Sequence, residues 1–204
     1  MKKYLEASMS FGEYRGLVER LVEEGKTTGP KQSESLANFT RLNLQRMNRL
    51  SKTIELGEEV KVAVGSNQRP QVWLVITEGW CGDAAQNIPI IEKIAAESDI
   101  IETRYILRDE NPELIDRFLT FGARSIPKVI ASDADSHEIL WTWGARPKAA
   151  QDLFLELREE GSEKSGIMER LQRWYNEDKG RSIQAEFMSL LTGKDGQLAA
   201  VSAS

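Results

Sequence analysis

The chain has 204 residues, a formal net charge of -5, 29% charged and 40% hydrophobic residues. This is ordinary globular composition, sufficient for one sizeable core with additions, and it excludes a fibrous or wholly disordered chain. The acidic balance makes nucleic acid an unlikely partner, because phosphate binding needs a basic surface, and no apolar run approaches the ~18 residues of a membrane span.

The opening stretch MKKYLEASMSFGEYRG has no apolar segment of the secretory kind, so a cytoplasmic location is expected. Cys81 is the only cysteine and His137 the only histidine, which rules out an internal disulfide and a Cys/His structural zinc site. Ser10-Phe11-Gly12-Glu13 has capping-box spacing, and Phe11, Tyr14, Val18, Leu21 and Val22 recur at helical intervals, predicting a helix over about 10–25. A second helix, capped by Ser33 or Ser35, is expected through about Leu56. It carries Arg41, Arg46, Arg49 and Lys52, and the three-residue spacings of Arg46, Arg49 and Lys52 place them on one side. That side offers an anion-binding stripe to the carboxylates of a small thiol cofactor, to an acidic partner or to nucleic acid, or else it is a solvated helix face.

From residue 72 the pattern changes. Val72 to Thr77 reads as a strand, about Gly82 to Ser98 as a helix and Ile100 to Leu107 as a parallel strand, a βαβ unit. Asn111-Pro112-Glu113 starts a helix expected to end near Phe121-Gly122. Two antiparallel strands follow, Pro127 to Ser132 and His137 to Trp143, then helices over about 147–160 and 165–191. The tail from Thr192 to Ser204 is expected to fray. Three regions result: an N-terminal helical extension (1–66), a core (67–160), and a C-terminal helical extension with its tail (161–204).

The stretch Trp80-Cys81-Gly82-Asp83 lies just past the carboxyl end of the first core strand, the edge at which open α/β sheets place ligands. A cysteine at a helix start gains from free N–H groups and the helix dipole, which favour the thiolate. Here the chain resembles the thioredoxin superfamily over roughly residues 72–160. Trp80-Cys81-Gly82-Asp83 is similar to the family's Trp-Cys-Gly-Pro-Cys entry, with Pro89 further along the helix. Phe121 to Pro127 is similar to the loop ending in a cis-proline that faces the active cysteine, and Gly144-Ala145-Arg146 sits where members carry a glycine after the last strand. The resemblance implies an α/β fold with a mixed central sheet flanked by helices, here with N-terminal and C-terminal helical extensions. It also implies thiol–disulfide exchange through Cys81, with Trp80, Gly82, Asp83, Ile126 and Pro127 around the partner.

The departures matter equally. Ala84 stands in place of the resolving cysteine, so exchange would be monothiol and finished by an external low-molecular-weight thiol, with no tightly bound cofactor. Val75 stands where members bury an aspartate. Asp83 favours the helix start but opposes a neighbouring thiolate, leaving the net sign on Cys81 open. Exchange with a protein or small-thiol disulfide partner, a redox-inactive binding module and a thiol sensor are the readings that follow. The first needs an uncovered, ionisable sulfur. Oligomeric state has no signature in the sequence.

Overall fold

A computed structural model describes residues 1–193. The N-terminal extension consists of α1 (Lys2–Glu6), α2 (Phe11–Glu23), α3 (Glu34–Thr53) and α4 (Glu58–Gly65). Helix α2 starts on the expected capping box: Ser10 Oγ accepts from the Glu13 N–H, and Glu13 Oε2 accepts from the Ser10 N–H at 2.7 Å. Helix α3 is capped by Ser33 and stops at Thr53, short of Leu56, because Ile54 turns extended. Helix α4 went unanticipated, although Val60, Ala63 and Val64 keep the spacing of a buried helical face.

The core follows as β1 (Gln71–Thr77), α5 (Gly82–Ala95), β2 (Ile101–Leu107), α6 (Pro112–Ile115), β3 (Lys128–Asp133), β4 (Ile139–Gly144) and α7 (Lys148–Glu159). The sheet order is β2-β1-β3-β4, with β1 parallel to β2 and antiparallel to β3, and β3 antiparallel to β4. The expected mixed sheet flanked by helices is thus observed. Helix α6 is a single turn rather than a helix reaching residue 122; Phe121 and Gly122, both at positive φ, form a tight turn between Thr120 and Ala123. His137 precedes β4 instead of opening it.

The expected last helix is two, α8 (Lys164–Asp178) and α9 (Arg181–Thr192). They are separated by Lys179 and Gly180 in the left-handed conformation. Gly180 has φ 77°, a conformation that favours glycine, and a Cβ there would also have to displace the tip of Ile90, 2.6 Å away. The tail expected to fray lies, from residue 194 on, outside the described residues.

One core unites the sheet with most of the helices. Tyr14 and Val18 of α2, Met47 and Leu50 of α3, Val60 and Val64 of α4, and Ile183 and Phe187 of α9 all join it. Strand alternation puts Trp73, Trp141 and Trp143 on one sheet face, where all three meet Phe187 edge-on at 5.3–5.5 Å between centroids. Helices α7 and α8 stand apart: Ala150, Leu157, Ile167 and Leu171 form a second cluster, joined by Leu153, Phe154 and Trp174. Among the described residues, no helix is long and apolar enough to cross a membrane.

Candidate functional site

Strand β1 ends at Thr77, and the next four residues carry the chain into α5. Cys81 is the N-cap of that helix, its Sγ accepting from the Ala84 N–H at 3.4 Å. The thiol in turn donates to the Ile126 carbonyl at 3.3 Å. The Ile126–Pro127 peptide is cis, and the hydrogen bond to Ile126 sets this segment beside the sulfur. The Ile126 carbonyl, on the loop expected to lie beside a partner, accepts here from the thiol.

The exchange reading needs an uncovered, ionisable sulfur, and in this structure the sulfur is covered. Cys81 is 7% exposed. Burial first, and the nearby Asp83 second, push its thiol up to about 12, while the Ala84 N–H and the Arg146 charge act the other way. The helix start does favour the thiolate, but desolvation of a buried anion outweighs it.

Asp83 is held from two sides. Arg146, in the connection from β4 to α7, reaches Asp83 Oδ2 at 2.7 Å, and the Tyr175 hydroxyl of α8 donates to Oδ1 at 2.9 Å. Burial raises the Asp83 carboxyl above its usual range, against the pull of Arg146 and Tyr175. Arg146 also donates to Gln151 Oε1 and lies 4.2 Å from the Phe154 ring centroid. Further along the same face of α5, Gln86 donates to Gln172 Oε1 at 2.9 Å and Asn87 to the Tyr175 hydroxyl at 3.2 Å. Positions 83, 86, 87 and 90 therefore form one helical stripe, covered by α8 and by the turn at Gly180.

Helix α3 lies on the other side of the site. Asn43, buried, donates to the Gly79 carbonyl at 3.0 Å and accepts from Arg46. Arg46 reaches the start of α5, with its Nη1 3.9 Å from where a Gly82 side chain would begin. Burial and the like charge of Arg49 lower the Arg46 pKa. Of the sequence candidates, Trp80, Cys81, Gly82, Asp83, Ile126, Pro127 and Arg46 thus converge, while Arg49 lies further along α3 in solvent.

Several site residues carried no sequence signal of their role. Glu78 is fully buried; it accepts from the Asp109 N–H at 2.8 Å and from the Thr28 hydroxyl, which itself accepts from the Gly79 N–H. Burial raises its carboxyl. It ties the α2–α3 loop to the site and supplies a buried carboxylate, though at a different position from the family's aspartate. Arg108 stacks over Trp80 at 4.7 Å and pairs with Asp109 at 2.7 Å. Lys128, only 6% exposed, donates to the Gly144 carbonyl at 3.0 Å, and burial holds its amine down to about 8. A Cβ at residue 144 would lie 2.2 Å from the Pro127 carbonyl oxygen, so that glycine is required by the proline segment. What signal there is lies in α5, where Ala84, Ala85, Ile88, Ile90, Ile91 and Ile94 spread round the helix and call for cover on more than one side.

A family model described as thioredoxin matches residues 29–177. Among solved structures, a protein of unknown function from Pseudomonas aeruginosa is similar at 17% identity and a TM-score of 0.58, over 78% of this chain and 91% of its own. An HIV epitope scaffold is similar at 17% identity and a TM-score of 0.56, over 91% of this chain and 99% of its own. At such identity these likenesses speak to the fold alone. No curated protein matches the sequence.

Proposed function

The chain belongs to the thioredoxin family, and on that footing we propose that in the conformation described it is a closed thioredoxin-fold binding module rather than a working exchange catalyst. The observation that carries this reading is the burial of Cys81, whose thiol stays protonated across the physiological range. A buried neutral thiol is a poor nucleophile. The surface left for a partner is formed by Trp80 under Arg108, with Arg46 and Arg49 offered to acidic groups. A lone cysteine also suits the reducing cytoplasm. The test is reaction of Cys81 with a small disulfide at neutral pH, followed by mass spectrometry. No mixed disulfide in the native protein, with rapid formation once the chain is unfolded in urea, is the expected result. Fast exchange by the native protein would overturn it.

A second reading, monothiol exchange, is favoured by one specific observation: the sulfur lies within hydrogen-bond reach of the Ile126 carbonyl beside Pro127. Once uncovered and deprotonated, Cys81 would attack one sulfur of a partner disulfide, forming a mixed disulfide as the other sulfur leaves as a thiolate. With Ala84 next along the helix, a low-molecular-weight thiol from solution would attack that bond, release Cys81 and leave with the partner's sulfur.

A further inference from the structure

We propose that α8 is a latch: the α7–α8 hairpin closes the amino end of α5 through Asp83, and swings away as a unit to uncover Cys81. Three observations carry this. First, the hairpin packs its apolar side chains mainly into itself, as Leu157 and Phe154 of α7 meet Ile167, Leu171 and Trp174 of α8 in a cluster separate from the main core. Moving it therefore leaves that cluster intact. Second, the polar contacts that hold it are few: Tyr175 and Arg146 on Asp83, Asn87 on Tyr175 and Gln86 on Gln172 at the site, and the Lys148 N–H on Glu186 of α9 close to the Gly144 end of the hairpin. Groups of this kind exchange for water on opening without exposing a large apolar area. Third, the hairpin is bounded by two points where the chain departs from regular structure, Gly144 at φ 120° and the left-handed pair Lys179 and Gly180. Beyond them β4 and α9 are anchored in the main core through Trp143 and Phe187.

Helix α3, across the site, cannot serve in this way, because Met47 and Leu50 belong to the main core. Opening from its side would expose that core. Arg146 moves with the hairpin, so release takes the counter-ion from Asp83 and uncovers the start of α5 in one step. The latch rests on the second reading above only for what the uncovered thiol then does.

The test is the rate of Cys81 alkylation by iodoacetamide, read by mass spectrometry on the full chain at fixed pH between zero and sub-denaturing urea. Tyr175→Phe removes the hydrogen bond to Asp83 and the one accepted from Asn87, and Gln172→Ala removes the contact with Gln86 while sparing the ion pair. Losing these two hydrogen bonds, one of them to a charged group, is expected to speed alkylation about tenfold or more in Tyr175→Phe, with a smaller gain in Gln172→Ala. In both, the urea dependence should be much shallower than that of global unfolding followed by circular dichroism, the mark of a local opening. Unchanged rates in both variants, or rates that follow global unfolding, would overturn the latch. If the variants alkylate faster yet form no mixed disulfide with a small disulfide reagent, the latch stands and monothiol exchange fails.

Discussion

Helices α3 and α8 both lie against the amino end of α5, and they hold it by different means. Helix α3 inserts Met47 and Leu50 into the core shared with the sheet and adds Asn43 as a polar clamp on Gly79. Helix α8 keeps Leu171 and Ile167 in a cluster of its own and meets α5 through a tyrosine and a glutamine. An extension welded by apolar burial gains stability in proportion to the area removed from water. One attached by polar contacts gains far less, because water offers the same hydrogen bonds.

This contrast is most exposed to core truncation. Met47→Ala in α3 should remove about 2–5 kcal/mol from the global unfolding free energy measured in urea, the usual range for a buried methionine. Leu171→Ala in α8 should take about 1 kcal/mol or less from the same transition while raising amide exchange within α7 and α8, as expected when only a local unit is loosened. Equal losses from the two substitutions would erase the distinction.

Next in size is the pH dependence of the site between the two helices. Burial raises the folded Cys81 thiol from 9.0 to about 12, so above pH 9 the unfolded chain loses this proton first. The stability that Cys81 contributes is complete below pH 9 and is lost as pH rises toward 12. Lys128 has the opposite sign. Its folded amine titrates near 8 against 10.5 unfolded, so its contribution to stability grows between those values. Urea melts of Cys81→Ala should show a smaller alkaline fall that begins nearer pH 10, the remainder coming from Tyr14, Tyr105 and Tyr175, whose hydroxyls burial also raises. Lys128→Met should abolish the rise and be more stable near neutral pH by about 1 kcal/mol or more, since a buried charge without a carboxylate partner is costly. Thiolate absorbance in native protein should develop only at strongly alkaline pH.

The smallest expected effect lies at the edge of the N-terminal extension. Ser10→Ala breaks the capping box of α2 and should cost about 1 kcal/mol. Because Tyr14 and Val18 place α2 in the main core, that loss should appear in the global transition, and its absence there would mean that α2 unfolds independently.

The strands, the helix after Cys81 and the mixed sheet were legible because their signals are local. Apolar runs of strand length, a capping box and a cysteine set just past a strand end need nothing from distant residues. The break at Lys179-Gly180 was missed because a helical pattern runs through it, and the left-handed turn there seats the chain against Ile90 on another helix. The polarity around Cys81 was open for the same reason. Asp83 and the helix start are neighbours in sequence, whereas Arg146 and Tyr175 arrive from 63 and 92 residues away.

From its sequence alone this protein was determined to have a thioredoxin-like core, a single sulfur at a helix start and no second cysteine to resolve an exchange. Only the tertiary structure decided that the sulfur is covered, that its proton is held to about pH 12, and that a tyrosine and an arginine enclose the aspartate beside it. Ionisation depends on how much water reaches an atom and which charges stand near it, and both are properties of packing between segments far apart along the chain.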